Sequence, residues 1–256
     1  MKRNIYILGF VVLLLTLSTC GPDQYYVTIQ GIIPPDDSCT YKPQDLYQAF
    51  GILDAEMVDK LETWGYNYGY IAGVQVENRM LNTKDVTKKP GSMDDLPMRT
   101  DVNFVIIKKA VITLRAVSAS KNTVVTTANY KSTFTMEVSE TIIPSAGDDK
   151  TPGRAIVLLP LIPKEKIREM FDTEPNYPFD LSSYMDISVE FSLEGETRGG
   201  VPVKTSKHVF PVKICYGCLD LLGNRTLEQC LTDTNCKLSG NTCLPGQDGK
   251  IICTCN

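Results

Sequence analysis

Apolar and polar residues alternate with a period of two along most of the chain, the pattern of β-strands buried on one face. The clearest run is Met185 to Glu194. Met185, Ile187, Val189, Phe191 and Leu193 fall on one side, and Asp186, Ser188, Glu190, Ser192 and Glu194 on the other. Tyr25 to Ile33 alternates Val27, Ile29 and Ile33 with Tyr26, Thr28 and Gln30. In Tyr68 to Met80, Tyr68, Tyr70, Ala72, Val74, Val76 and Met80 share a face, and Gln75, Glu77 and Arg79 share the opposite one. Val102 to Ala116 groups Val102, Phe104, Ile106, Ala110, Ile112, Leu114 and Ala116. Lys108 interrupts that face, which predicts a bulge or a bend. Thr133 to Ser139, Val201 to Thr205 and Val209 to Ile214 read as further strands, and the continuous apolar run Arg154 to Ile162 as a more buried one.

Turn residues separate these runs: Pro34-Pro35-Asp36-Asp37, Lys89-Pro90-Gly91-Ser92, Ser145 to Asp149, Gly195 and Gly199-Gly200. Ala116 to Tyr130, rich in Ser, Thr and Asn, reads as a hairpin region with a polar face. Helical spacing is scarce. Ile167, Met170 and Phe171 suit two turns within Pro163 to Phe171. Asp54 to Trp64 reads either as a short helix, with Met57, Val58 and Leu61 on one side, or as a strand and loop. Seven or eight strands with single apolar faces need two sheets packed together. The expected fold is all-β: an antiparallel β-sandwich, Ig-like or similar, with a short disulfide-rich C-terminal tail.

The N-terminus carries a different signal. Lys2 and Arg3 precede Ile5 to Leu17, an apolar run of 13 residues. A spanning helix needs about 20 such residues, so the run fits a secretory signal peptide better than a membrane anchor. Leu17-Ser18-Thr19-Cys20 resembles the lipobox of bacterial lipoproteins, although Thr19 stands where Gly or Ala is usual. The resemblance implies lipidation of Cys20 and cleavage before it. Gly21 follows the cysteine where an Asp would resemble an inner-membrane retention signal, which favours the outer membrane. The chain then divides into a signal peptide at 1–19, a β-sandwich ectodomain at 20–214 and a cysteine-rich tail at 215–256.

Seven of the nine cysteines lie in the last 42 residues: Cys215, Cys218, Cys230, Cys236, Cys243, Cys253 and Cys255. With Cys20 lipidated, Cys39 brings the candidates for disulfides to eight, which allow 105 pairings. Export implies an oxidising compartment, and the tail has too few large apolar residues to build its own core. Structural disulfides, at about 2–4 kcal/mol each, suit both facts. A zinc ribbon needs a second C-x-x-C, and the later intervals do not supply it. A thioredoxin-like use of Cys215 and Cys218 needs a helix N-terminus, whereas Cys215 follows a strand.

The run Phe210-Pro-Val-Lys-Ile-Cys215-Tyr-Gly-Cys218-Leu, followed by Cys243-Leu-Pro-Gly-Gln-Asp248 and a terminal cysteine pair, resembles predicted outer-membrane lipoproteins of myxobacteria and related deltaproteobacteria. In those, a lipobox, a β-rich middle and a C-x-x-C…C-x-P-G-Q-D…C tail occur together. That family has no established activity, so the resemblance implies location and architecture and no site.

Little catalytic chemistry is on offer. The single histidine, His208, shares parity with Phe210, Val212 and Ile214 and suits a core margin. No G-x-S-x-G, P-loop or dinucleotide fingerprint occurs. The acidic pairs Asp36-Asp37, Asp94-Asp95 and Asp148-Asp149 sit in turn-like contexts. A net charge of -4 argues against a nucleic-acid surface. Trp64, Tyr66, Tyr68 and Tyr70 are spaced as an aromatic ladder, which is either core or a face that stacks on glycans. The expectation is a non-enzymatic, lipid-anchored outer-membrane protein without metal or cofactor. It would meet the membrane through its lipid and bind envelope proteins or glycans. The alternatives are an envelope thiol/disulfide protein using Cys215 and Cys218, or a carbohydrate-binding module using the ladder.

Overall fold

The computed structural model describes residues 26–36, 38–56, 58, 69–81, 103–121, 124–127, 130–147, 150–173, 184–221, 236–240, 247–248 and 251–255. The strands, in chain order, are β1 (Val27–Ile33), β2 (Gly51–Asp54), β3 (Tyr70–Asn78), β4 (Val105–Lys121), β5 (Val124–Thr127), β6 (Lys131–Ile143), β7 (Gly153–Ile162), β8 (Tyr184–Thr197), β9 (Pro202–Lys204), β10 (His208–Cys215), β11 (Asp220–Leu221), β12 (Cys236–Gly240) and β13 (Ile251–Cys255). A single described helix of length, α1 (Lys164–Thr173), follows β7 and sends Ile167 and Met170 into the core. At the end of β2 the chain turns helical at Ala55 and Glu56, so Asp54 to Trp64 opens as a strand end and a turn of helix.

Two sheets pack together to form the body, as expected for an all-β sandwich. One has the order β1-β3-β7; the other runs β2-β10-β8-β4-β5, with β6 also on β4 and β9 on β8. Pairing in the body is antiparallel except for β2 on β10, which is parallel. A third sheet, β11-β13-β12, is built from the tail.

The alternation in β8 is realised except at Ser192, which was read as outward-facing but is buried. Met185, Ile187, Val189, Phe191 and Leu193 are buried against the other sheet. On the outer face Glu190 pairs with Lys207 at 2.7 Å and Glu194 with Lys204 at 2.8 Å. Such exposed pairs add little stability, about 0–1 kcal/mol each. The burial of the apolar row is the larger contribution.

β4 is instructive because its pattern contains a defect. The register shifts between Ile107 and Lys109 against both β6 and β8, a bulge at the position that Lys108 marks. The extra residue reverses the parity. Beyond the bulge Ala110, Ile112, Leu114 and Ala116 point inward as expected, but before it the inward residues are Val105 and Ile107. Phe104 and Ile106, assigned to the core from parity alone, are only half-buried. The bulge carries Lys108 outward, where its Nζ lies 2.6 Å from Glu196. A straight strand would have driven that ammonium into the apolar face.

Two other readings change. β7 is an edge strand of its sheet, and its Leu158 is exposed while Val157, Leu159 and Leu161 are buried. Its continuous apolar run therefore reflects an edge with a partly uncovered face. On β3 the polar row does not face water. Gln75 and Glu77 are buried beneath the segment 41–50. Tyr41 lies on Gly73, where any Cβ would collide with its ring. Gln75 accepts a bond from the Gln44 N–H at 2.8 Å and donates to the Tyr47 hydroxyl at 3.0 Å. Arg154 bridges Glu77 at 2.9 Å and Asp45 at 3.1 Å. The polar row on β3 thus binds a covering segment by directional bonds.

Candidate functional site

Buried polar groups from distant parts of the chain meet around the short strand β2. Its last residue, Asp54, is completely buried beside the end of β10, because β2 and β10 run parallel and pair Cys215 with Asp54. After Cys215 the chain turns sharply through Tyr216 and Gly217. Gly217 has a φ of 65°, a left-handed conformation that glycine adopts at no steric cost. The turn brings Cys218 back to Cys215, and the two form a disulfide with a Cα–Cα separation of 5.9 Å. It also aims backbone donors at Asp54. The Gly217 and Leu219 N–H groups donate to its two carboxylate oxygens at 2.8 Å each, and the Glu56 N–H donates at 3.1 Å. One buried carboxylate therefore organises both the Cys-Tyr-Gly-Cys turn and the start of the helical turn after β2.

The ligand-capable atoms of Asp54, Cys215 and Cys218 all lie within 4.8 Å of one another. Cys215 is buried and Cys218 half-exposed, so solvent reaches the pair from the Cys218 side.

A second carboxylate grips β2 from the other direction. Asp248, with a φ of 54°, accepts from the Ile52 N–H at 2.7 Å through one oxygen and from the Tyr70 hydroxyl at 2.6 Å through the other. Its own N–H donates to the Ile52 carbonyl at 2.9 Å. The neighbouring Gln247 takes both polar groups of Ile71, accepting from its N–H at 2.9 Å and donating to its carbonyl. Two consecutive tail residues thus behave as a strand fragment, satisfying backbone groups of β2 and β3 that the body leaves unpaired. Tyr70 is fully buried against Phe210, with ring centroids 5.9 Å apart, and its hydroxyl lies over Gly51, where a side chain would not fit. Burial and then the Asp248 charge hold the Tyr70 phenol far above its ordinary value. The same two causes push Tyr41 up to about 12.

Of the anticipated site residues, Cys215 and Cys218 are joined as a disulfide, and Cys39 is also disulfide-bonded. Cys236 and Cys255 occupy facing positions on β12 and β13, and Cys253 faces Leu238. Cys20, Cys230 and Cys243 lie outside the described residues, as do Trp64, Tyr66 and Tyr68. Tyr70 belongs to the core and is not a surface for glycans. His208 sits half-buried at the start of β10 with its ring 5.5 Å from that of Phe191. Asp36 folds its own turn, accepting from the Ser38 and Thr40 N–H groups, the Thr40 hydroxyl and Lys42. Asp37, Asp94, Asp95, Asp148 and Asp149 lie outside the described residues.

Comparison with known protein families, with curated proteins and with solved structures returns no match for the chain. The roles of Asp54, Gln247 and Asp248 were not anticipated. Gln247 and Asp248 stand inside the tail motif, so a signal was present without a mechanism. An aspartate ending a four-residue strand carries no such signal.

Proposed function

We propose that the protein is a lipid-anchored component of the bacterial envelope, held at the outer membrane through Cys20, whose β-sandwich binds or scaffolds other envelope proteins or glycans without catalysing a reaction. The observation that carries this reading is the oxidised state of its cysteines. Cys39 and the Cys215–Cys218 pair are disulfide-bonded, a state that persists outside the cytosol. It agrees with the export signal in Lys2, Arg3, Ile5 to Leu17 and the lipobox-like Leu17 to Cys20. The resemblance of the tail motif to that of predicted lipoproteins of myxobacteria and related deltaproteobacteria points the same way.

The anchor would supply the membrane affinity. Each buried methylene contributes about 0.8 kcal/mol, one acyl chain binds only marginally, and two or three hold firmly. The net charge of -4 offers no attraction to anionic lipid. Metabolic labelling with radioactive palmitate tests the reading. Label in the wild-type protein that vanishes in Cys20→Ala supports it, and label absent from both, or equal in both, removes the anchor. Thiol counting on denatured, unreduced protein tests the compartment: several free thiols would place the tail in a reducing environment.

A further inference from the structure

We propose that reduction of the Cys215–Cys218 disulfide opens a binding site for a thiophilic divalent cation of the zinc class, with Asp54 as its third protein ligand. The inference goes beyond the envelope reading and does not depend on it. It rests on the convergence of three ligand atoms within 4.8 Å of one another at the junction of β2 and β10.

The geometry suits a tetrahedral ion. Zinc binds sulfur at about 2.3 Å and carboxylate oxygen at about 2.0–2.2 Å. Two sulfurs on one tetrahedral ion are then ~3.8 Å apart, so the pair needs to open only from a covalent bond to a chelating separation. The Cα–Cα separation of 5.9 Å and the two-residue spacing between Cys215 and Cys218 suit either state. Asp54 is already held in place. The N–H groups of Gly217 and Leu219, which belong to the same turn as the cysteines, each donate to one oxygen of its carboxylate. Donors of this kind orient a metal-binding carboxylate. Three protein ligands leave a fourth position for water.

Charge argues for the same occupant. Reduced and deprotonated, the site holds two thiolates and a carboxylate in a partly buried volume, an arrangement of three negative charges of which a divalent cation offsets two. Comparison of cysteine spacings alone argued against zinc because the chain lacks a second C-x-x-C. The fold supplies a ligand from β2 that no spacing rule includes.

The chemistry balances in two steps. A dithiol reductant attacks the half-exposed Cys218 sulfur. The Cys215 sulfur leaves and takes up a proton, and the reductant closes its own disulfide, releasing two thiols on this chain. Binding one divalent ion then displaces the two thiol protons. Exchange with an oxidised dithiol reagent, whose disulfide is reduced to two thiols as the Cys215–Cys218 bond re-forms, would expel the ion, so the site is gated by redox state.

Cobalt(II) titration of the full chain, before and after reduction with a trialkylphosphine, tests this. The phosphine takes up oxygen from water and leaves no competing thiol. The expected result is one equivalent of cobalt with a thiolate charge-transfer band in the reduced protein. That band should be absent from the oxidised protein and from Cys215→Ser/Cys218→Ser. No band although both cysteines are confirmed free, or an equal band in the double variant, overturns the proposal. Asp54→Asn should weaken cobalt at least about tenfold; unchanged affinity removes the third ligand and with it the site as stated. Should that variant fail to fold, zinc-edge X-ray absorption on the reduced wild type decides. Two sulfurs with oxygen completing the shell support the site, and any other sulfur count overturns it.

Discussion

The middle of the seven-stranded sheet and the junction around β2 are held together by opposite means. At the middle of β4, β8 and β10 the buried inward residues are apolar: Ile112, Leu114, Val189, Phe191, Phe210 and Val212. Around β2 the buried Leu53 and Ala55 are accompanied by Asp54, Gln247, Tyr70 and Cys215, each of these four engaged by a directional or covalent bond. Apolar burial is proportional to area and indifferent to orientation. A buried carboxylate is stable only while its donors stay in place. The sheet should therefore tolerate reshaping that conserves volume, whereas the junction should fail on changes of a single atom.

The largest effects test the two halves of that contrast directly. Phe191→Ala empties the centre of β8 and should cost about 3–5 kcal/mol, against about 0.5–1.5 kcal/mol for Ile187→Val on the same face. Asp54→Ala removes no large apolar group, yet it leaves the Gly217, Leu219 and Glu56 N–H groups without this acceptor. A cost of about 2–4 kcal/mol is expected. Denaturant midpoints at constant m-value measure all three. If Asp54→Ala cost no more than Ile187→Val, the junction would not be a polar keystone and the contrast would be lost.

The same contrast explains what the sequence could and could not disclose. Alternation in β8 was legible because each residue's environment there depends on its own strand and a facing apolar layer. In β4 the bulge was legible from Lys108, but its consequence for Phe104 and Ile106 was not, since parity says nothing of which side of a defect keeps the register. The polar row Gln75 and Glu77 reads as solvent-facing until the segment 41–50 is laid over it. At the junction legibility ends. Asp54 meets the cysteine pair, and Asp248 meets Tyr70, only through contacts between residues far apart in the chain. Periodicity is a local signal, and these bonds are long-range.

A smaller effect sharpens the comparison at one hydroxyl. Tyr70→Phe keeps the ring against Phe210 and removes the bond to Asp248. Loss of a bond to a charged acceptor should cost about 1.5–3 kcal/mol. The more telling readout is local. The Ile52 and Ile71 amides, which donate to Asp248 and Gln247, should exchange hydrogen faster in the variant, while the amides of β8 at the sheet centre should keep their wild-type protection relative to global unfolding. Equal acceleration everywhere would mean that the tail dipeptide and the sheet open as one unit.

The smallest expected effect belongs to the sheet and depends on pH. Burial lowers the His208 pKa below its ordinary value of 6.5, so the folded chain takes up this proton less readily than the unfolded chain. The stabilisation is therefore complete above about pH 6.5 and is lost as pH falls from there through the lower folded value. The nearby Glu190 is shifted in the same sense by its bond to Lys207, but its proton uptake lies at the carboxylate range and below. Subtracting the unfolding curve of His208→Phe, which keeps a ring against Phe191, isolates the histidine between the two ranges. The difference should be flat above neutrality and should turn against the wild type as the solution becomes mildly acidic. A flat difference throughout would mean that the ring carries its proton in the folded sheet as easily as in water. The apolar half of the contrast would then extend no further than the residues beneath it.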